Sequence, residues 1–181
     1  MIEIRALREG DDRAQFQSGD PDLDRFFQKF AGQNQFRHYV GVTYVALDDR
    51  RVLGFATVAP GHVEIDGLPS AARRKLPRYP LPVLRLARLA VDRSARGEGL
   101  GKQLLRFVLD LALRMANDYG CVGVLVDAKP DAVDFYAKYG FIPVEAIEGH
   151  ADARPQQTPM FLATRAIKEA LGAQAQDEGD T

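Results

Sequence analysis

Apolar residues alternate from Ile2 to Leu7, which predicts a first strand, and then change period. From Pro21 they recur at three- and four-residue steps, at Leu23, Phe26, Phe27 and Phe30, so a helix with one apolar face is expected up to Gly32. Val40–Leu47 and Val52–Ala59 are β-rich runs either side of Asp48-Asp49-Arg50-Arg51, the pattern of a hairpin, and a short strand is expected at His62–Ile65. Prolines at 69, 77, 80 and 82 predict an irregular, exposed loop from Gly67 to Pro82 with one helical turn at Ser70–Lys75.

Leu81–Val91 is the next apolar run, and a helical stripe of Leu100, Leu104, Val108, Leu111 or Ala112, and Met115 follows, with Gly120 as terminator. Val122–Ala128 is almost continuously apolar, the mark of a strand buried on both faces and parallel to a neighbour. Asp131 is placed to cap a short helix carrying Phe135 and Tyr136. That helix should end at Gly140, a strand should begin at Phe141, and Met160–Thr164 should supply the last. Strands first, then β-loop-α-β-α-β, predict a single-domain α/β fold, a mixed central sheet flanked by helices on both faces.

With 46% hydrophobic residues in 181, the chain can fill one core. No apolar run is long enough to span a membrane, and Met1–Arg5 lacks the pattern of a secretory signal, so a cytoplasmic location and no membrane association are expected. The single cysteine, Cys121, lies on an apolar run and reads as a buried structural thiol. His38, His62 and His150 show no ligand spacing, so no metal is expected.

Net charge is −1 but unevenly placed: from Ser70 to Arg106 ten Lys or Arg oppose only Asp92 and Glu98, a local +8. The domain is taken as residues 1–165. Residues 166–181, with Lys168 against Glu169, Asp177, Glu178 and Asp180, are expected to form a short helical end and then, beyond Leu171, a disordered acidic tail.

The candidate chemistry lies in Arg96-Gly97-Glu98-Gly99-Leu100-Gly101-Lys102, between a strand and a helix. Glycines at 97, 99 and 101 let a phosphate approach main-chain N–H groups that the first helical turn leaves unpaired, at the positive end of the helix dipole. A Walker loop would need glycine at Arg96 and Ser or Thr at Gln103, and the dinucleotide fingerprint would need glycine at Lys102, so neither is met. What fits is R-x-x-G-x-G at Arg96, Gly99 and Gly101, preceded by Leu89-Ala90-Val91-Asp92 and followed by Phe135-Tyr136-Ala137-Lys138-Tyr139-Gly140-Phe141.

Over about residues 2 to 165 this resembles the GNAT acetyltransferase superfamily, whose cosubstrate is acetyl-CoA. The resemblance implies the GNAT fold, with two parallel strands that splay apart at the cofactor. It places the backbone of Leu89, Ala90 and Val91 against the pantetheine arm and the thioester oxygen, and gives the pyrophosphate to Arg96, Gly97, Glu98, Gly99, Leu100, Gly101 and Lys102. The side chains of Leu89–Val91 are expected in the core. Tyr136 matches the tyrosine that serves such enzymes as general acid at the sulfur, while Tyr139 and Tyr79 read as structural. No carboxylate stands out as a base for the attacking amine, since Glu64, Asp92 and Glu98 read as solvated or capping groups.

Leu23-Asp24-Arg25-Phe26-Phe27, Pro80-Leu81-Pro82-Val83, Arg88–Asp92 and Thr158-Pro159-Met160 together look like the TacT and AtaT toxins of type II toxin-antitoxin systems. That narrower resemblance implies transfer of acetyl to the α-amine of aminoacyl-tRNA, which stops translation, and a ribbon-helix-helix antitoxin as partner. It leaves room for a homodimer. Arg73, Arg74, Lys75, Arg78, Arg85 and Arg93 are then the candidate tRNA contacts. An acetyltransferase of a small amine or a protein N-terminus, and a CoA-binding regulatory module without turnover, are the alternatives.

Overall fold

The opening alternation becomes β1 (Ile2–Ala6), which pairs antiparallel with β2 (Val42–Asp48), and β2 in turn pairs antiparallel with β3 (Arg51–Val63). These come from a computed structural model that describes residues 1–68, 70–74, 76–78, 80–144 and 157–179. The β2–β3 turn holds Asp49 at φ 56°, a conformation that aspartate tolerates better than most side chains. The expected extra strand at His62 is instead the end of β3, which runs on through Pro60. From Ala59 to His62 the strand is no longer buried on both faces, the setting in which a residue without an N–H is tolerated.

The early helix is longer and less regular than its pattern predicted. It comprises α1 (Pro21–Arg25), a π-helical turn (Phe26–Phe30) and α2 (Ala31–Phe36), passing Gly32. Asp20 caps it by accepting from the N–H groups of Asp22 and Leu23. In the wider turn Ala31 N–H reaches back to the Phe26 carbonyl. Successive side chains then diverge less than in an α-helix, so adjacent Phe26 and Phe27 are both buried.

A short helix α3 (Ser70–Arg73) precedes β4 (Leu81–Val91), and α4 (Leu100–Asp118) leads to β5 (Gly123–Ala128). α5 (Val133–Lys138), β6 (Ile142–Pro143), β7 (Thr158–Ala163) and α6 (Thr164–Gly179) follow. Asp131 does not cap α5. Ala132 occupies the cap position, where its methyl side chain offers no acceptor, and its N–H closes a turn onto the Lys129 carbonyl at 2.8 Å. The seven strands form one mixed sheet, order β1-β2-β3-β4-β5-β7-β6.

Packing divides the chain into two compact units, Met1–Ala59 with Leu86–Asp110, and Pro60–Arg85 with Leu111–Thr181. The first is centred on Phe16, Phe27 and Phe55, with Phe27 stacked on Phe55 at 4.4 Å and Phe16 edge-on to both at 5.0 and 5.4 Å. In the second, Val63, Leu68, Leu81, Val83, Leu125 and Phe161 pack together. Val122 N–H donates to the Pro82 carbonyl at 2.8 Å, so β4 and β5 start side by side and run parallel, whereas β5 and β7 are antiparallel.

Gly123 sits directly over β7, where an added Cβ would meet the Phe161 ring and stand 2.5 Å from the Leu162 carbonyl oxygen. Backbone cannot give way as a flexible side chain does, so Gly123→Ala is expected to cost about 2–3 kcal/mol. A thermal melt checks this, and an unchanged Tm would contradict the packing.

α6 is docked at its start, where Thr164 N–H and Oγ1–H donate to the Val122 and Cys121 carbonyls at 2.9 and 2.8 Å and Ile167 is 1% exposed. The helix continues past Leu171 to Gly179, where a disordered tail was expected. Ala173, Gln174, Ala175 and Gln176 lack an apolar period but favour helix intrinsically. Asp180 and Thr181 lie outside the described residues.

Candidate active site

β4 is the middle strand of seven, yet from Arg85 onward one of its faces is largely uncovered. Arg85 and Ala87 are exposed, and Leu89 and Val91 only half-buried, whereas Ala90 is 5% exposed and packs in the phenylalanine cluster. Of the three side chains expected in the core, Ala90 alone is fully there. The other two lie on the alternating row that β-pleating turns the opposite way, so this stretch can receive a ligand along its length.

Asp92 ends the strand as a buried cap. It accepts from Ser94 N–H at 3.0 Å, Ser94 Oγ–H at 2.6 Å and Gln17 N–H at 2.8 Å, and Arg51 lies 3.6 Å away. Burial pushes its carboxyl upward, but the hydrogen bonds and the Arg51 charge outweigh that and hold it below the ordinary carboxylate range. With its lone pairs so engaged, Asp92 is a capping group and not a base.

The loop that follows has room and donors for an anion. Gly97 and Gly99 both stand at φ 78°, and an added Cβ at either would meet nothing within 4 Å. They are therefore glycine for backbone conformation, and the space above them is free for phosphate oxygens. The first helical bond of α4 runs from Gln103 N–H to the Gly99 carbonyl at 3.1 Å, so the amides of Leu100, Gly101 and Lys102 precede it without a helical acceptor. Leu100 buries its side chain and can offer only its amide. Glu98 and Lys102 are exposed, and Gly101 lies inside the helix's first turn. These donors, the helix dipole and the exposed Lys102 ammonium fit a pyrophosphate.

Arg96, which the resemblance gives to the pyrophosphate, also braces the loop. Its guanidinium donates to the Ser18 carbonyl. Ser18 is itself buried and fixed by Asp24, which accepts from its N–H at 2.9 Å and its hydroxyl at 2.6 Å. Arg93 N–H donates to the Gln17 carbonyl at 2.8 Å. The segment Gln17–Ser18 thus braces the glycine loop from behind, a function that the sequence reading missed. Ser18 before Asp20-Pro21 signals a helix start, but a bond to a residue more than 70 positions away leaves no local mark.

In the second unit, Tyr136 on α5 is 5% exposed, its ring edge-on to Phe135 at 5.1 Å and to Phe141 at 5.4 Å. Burial pushes its phenol well above the ordinary tyrosine value, so the hydroxyl stays protonated. Tyr139 packs on Phe135 at 5.2 Å. Cys121 is buried as expected, its thiol 3.3 Å from the Gly123 carbonyl.

Among the candidate tRNA contacts, Arg73, Arg74 and Arg78 are exposed in the second unit and Arg93 in the first. Arg85 is committed to Asp127 at 2.6 Å, which removes it from the free cations. Lys75, like Tyr79 and His150, lies outside the described residues. Among the described residues no group of His, Cys, Asp and Glu could hold a metal, and no helix is long and apolar enough to cross a membrane.

Residues 40–143 match the model of the acetyltransferase (GNAT) domain. The chain is 39% identical over 140 residues to the "tRNA-acetylating toxin" of Mycobacterium tuberculosis, covering 76% of this chain and 82% of that protein. Its fold is similar to that of "AtaT complexed with acetyl-methionyl-tRNAfMet", with TM-score 0.82, 26% identity and coverage of 94% and 99%. It is also similar to "AtaTR bound with AcCoA", with TM-score 0.75, 27% identity and coverage of 94% and 98%.

Proposed function

The chain belongs to the acetyltransferase (GNAT) family, and from that premise we propose that it moves acetyl from acetyl-CoA to the α-amine of aminoacyl-tRNA, a reaction that blocks translation. One observation carries the reading: two left-handed glycines with open space above them, at the start of α4 and directly after the exposed row of the central strand. The relative in Mycobacterium tuberculosis is named for tRNA acetylation, and the AtaT structure holds an acetylated methionyl-tRNA. A ribbon-helix-helix antitoxin is the partner that goes with this class.

Bound acetyl-CoA would supply an activated acetyl thioester. Amides from Gly97 to Lys102 would hold the pyrophosphate end, and the Leu89–Val91 backbone would align the arm and offer its N–H groups to the thioester oxygen. By its motif position Tyr136 would donate a hydrogen bond to the departing sulfur. Its raised pKa makes it a hydrogen-bond donor more than a source of a fully transferred proton.

The amine must arrive neutral, and an α-amine near 7.7–8.0 is neutral in roughly one molecule in six to ten at pH 7, against about one in 2,500 for a lysine side chain near 10.4. Glu64 and Glu98 are exposed and Asp92 is spent on its cap, so none of the three is a ready base. An α-amino acceptor suits that site.

The test is to incubate the protein with labelled acetyl-CoA, total charged tRNA and a panel of amines and peptides. Label is expected on aminoacyl-tRNA. Label confined to a small amine or an N-terminus would replace the substrate assignment, and no transfer at all would leave a binding module. Changing Arg73, Arg74 and Arg78 together to Ala should weaken tRNA binding and reduce its salt slope by up to about 2–3 units. An unaltered slope would exclude these side chains from the RNA contact.

A further inference from the structure

The first unit carries an exposed aromatic in a strained conformation that nothing in the fold requires. Between α2 and β2, Arg37, His38, Tyr39 and Val40 are all exposed, and Tyr39 is 84% so. α2 closes with His38 N–H on the Gln33 carbonyl and Val40 N–H on the Asn34 carbonyl, both at 3.1 Å. Tyr39, between them, is held at φ 54°. Glycine is the residue suited to such a helix exit, and a bulky side chain there costs free energy with no packing in return. An aromatic ring kept at that cost, facing water, points to a ligand that stacks on it.

The segment that carries the ring has charge of one sign. From Phe26 to Leu47 there is no carboxylate, while Lys29 and Arg37 are cationic and His38 precedes Tyr39 in the chain. A flat aromatic beside arginine in a segment without acids fits a nucleobase with its phosphate. It suits an acidic or apolar protein surface less well, since neither would use both the ring face and the fork of donors.

Position along the sheet agrees. Asp92 N–H donates to the Leu53 carbonyl at 2.8 Å, and a Cβ on Gly54 would lie 3.2 Å from the Ala90 carbonyl oxygen, so β3 and β4 run antiparallel here. Gly41, just after the exposed tip, abuts the Val58 carbonyl, five residues beyond Leu53 on β3. At about 3.3 Å per residue the tip stands roughly 17 Å along the strand from the level of Asp92, where β4 ends. It lies toward the Ala87–Leu89 part of β4, on the acetyl side and not the pyrophosphate side.

Resting on the aminoacyl-tRNA reading, we infer that the Arg37–Val40 tip is an RNA contact in which Tyr39 stacks on an unpaired base and Arg37 meets an adjacent phosphate. The tip then acts on substrate KM and not on the chemical step.

The test compares wild type, Tyr39→Gly and Tyr39→Phe. Glycine relaxes the backbone, so Tyr39→Gly should melt no lower than wild type, while KM for aminoacyl-tRNA rises about ten-fold with kcat and acetyl-CoA affinity unchanged. Tyr39→Phe, which keeps the ring, should behave as wild type. Unchanged KM in Tyr39→Gly, a lower Tm, or an effect confined to self-association or antitoxin binding would each overturn the inference. Wild type that does not acetylate aminoacyl-tRNA would instead remove the substrate reading itself, so the two failures are distinguishable.

Discussion

Tyr136→Phe is expected to lower kcat by about 100-fold or more while acetyl-CoA affinity and Tm stay near wild type. The ring contacts with Phe135 and Phe141 survive the change, and only the hydroxyl is lost. Steady-state kinetics beside a direct binding titration separates the two quantities. A variant that loses affinity but keeps kcat would assign Tyr136 to packing.

The pH dependence follows from the same burial. The folded-state pKa of Tyr136 is raised, so its proton is retained through neutral and moderately alkaline pH. The rate with an α-amino acceptor should therefore climb as the amine deprotonates near 7.7–8.0, with no falling limb from Tyr136 below about 10. A falling limb in that range that vanished in Tyr136→Phe would show the phenol to be ionising where burial says that it does not.

Gly99→Val should weaken acetyl-CoA binding by about 100-fold. A β-branched residue at φ 78° carries strain of about 1–2 kcal/mol, and the loop escapes by turning its amides away from the phosphates. Hydrogen bonds to a charged group contribute about 1.5–3 kcal/mol each, so losing one or two accounts for the effect. Gly10→Val is the control: a Cβ there also meets nothing within 4 Å, but Gly10 is not among the left-handed glycines. Calorimetry that found the two variants equal would mean that the glycine conformation does not form the cradle.

Periodicity located β1 and α4, and β-rich or continuous apolar runs located β2, β4 and β5, because each signal is written locally. It stopped the early helix at Gly32 and β3 at Pro60, where propensity favours a break, and the surrounding sheet and phenylalanine cluster carried the chain through both. The site divided in the same way. Glycines at 97 and 99 were legible because a strand-turn-helix phosphate loop demands them at close spacing.

What the sequence determined by itself was the family, with the glycine loop and the tyrosine as site candidates, all short-range patterns of residue type. Tertiary structure decided which charges are free: it tied Arg96 to Ser18 and Arg85 to Asp127, and spent Asp92 on Gln17 and Ser94. It also left Tyr39 standing in water at a glycine's conformation. The physical reason is that burial, pairing and backbone strain depend on partners distant in the chain, and their energies are set by distance in space, which residue order does not record.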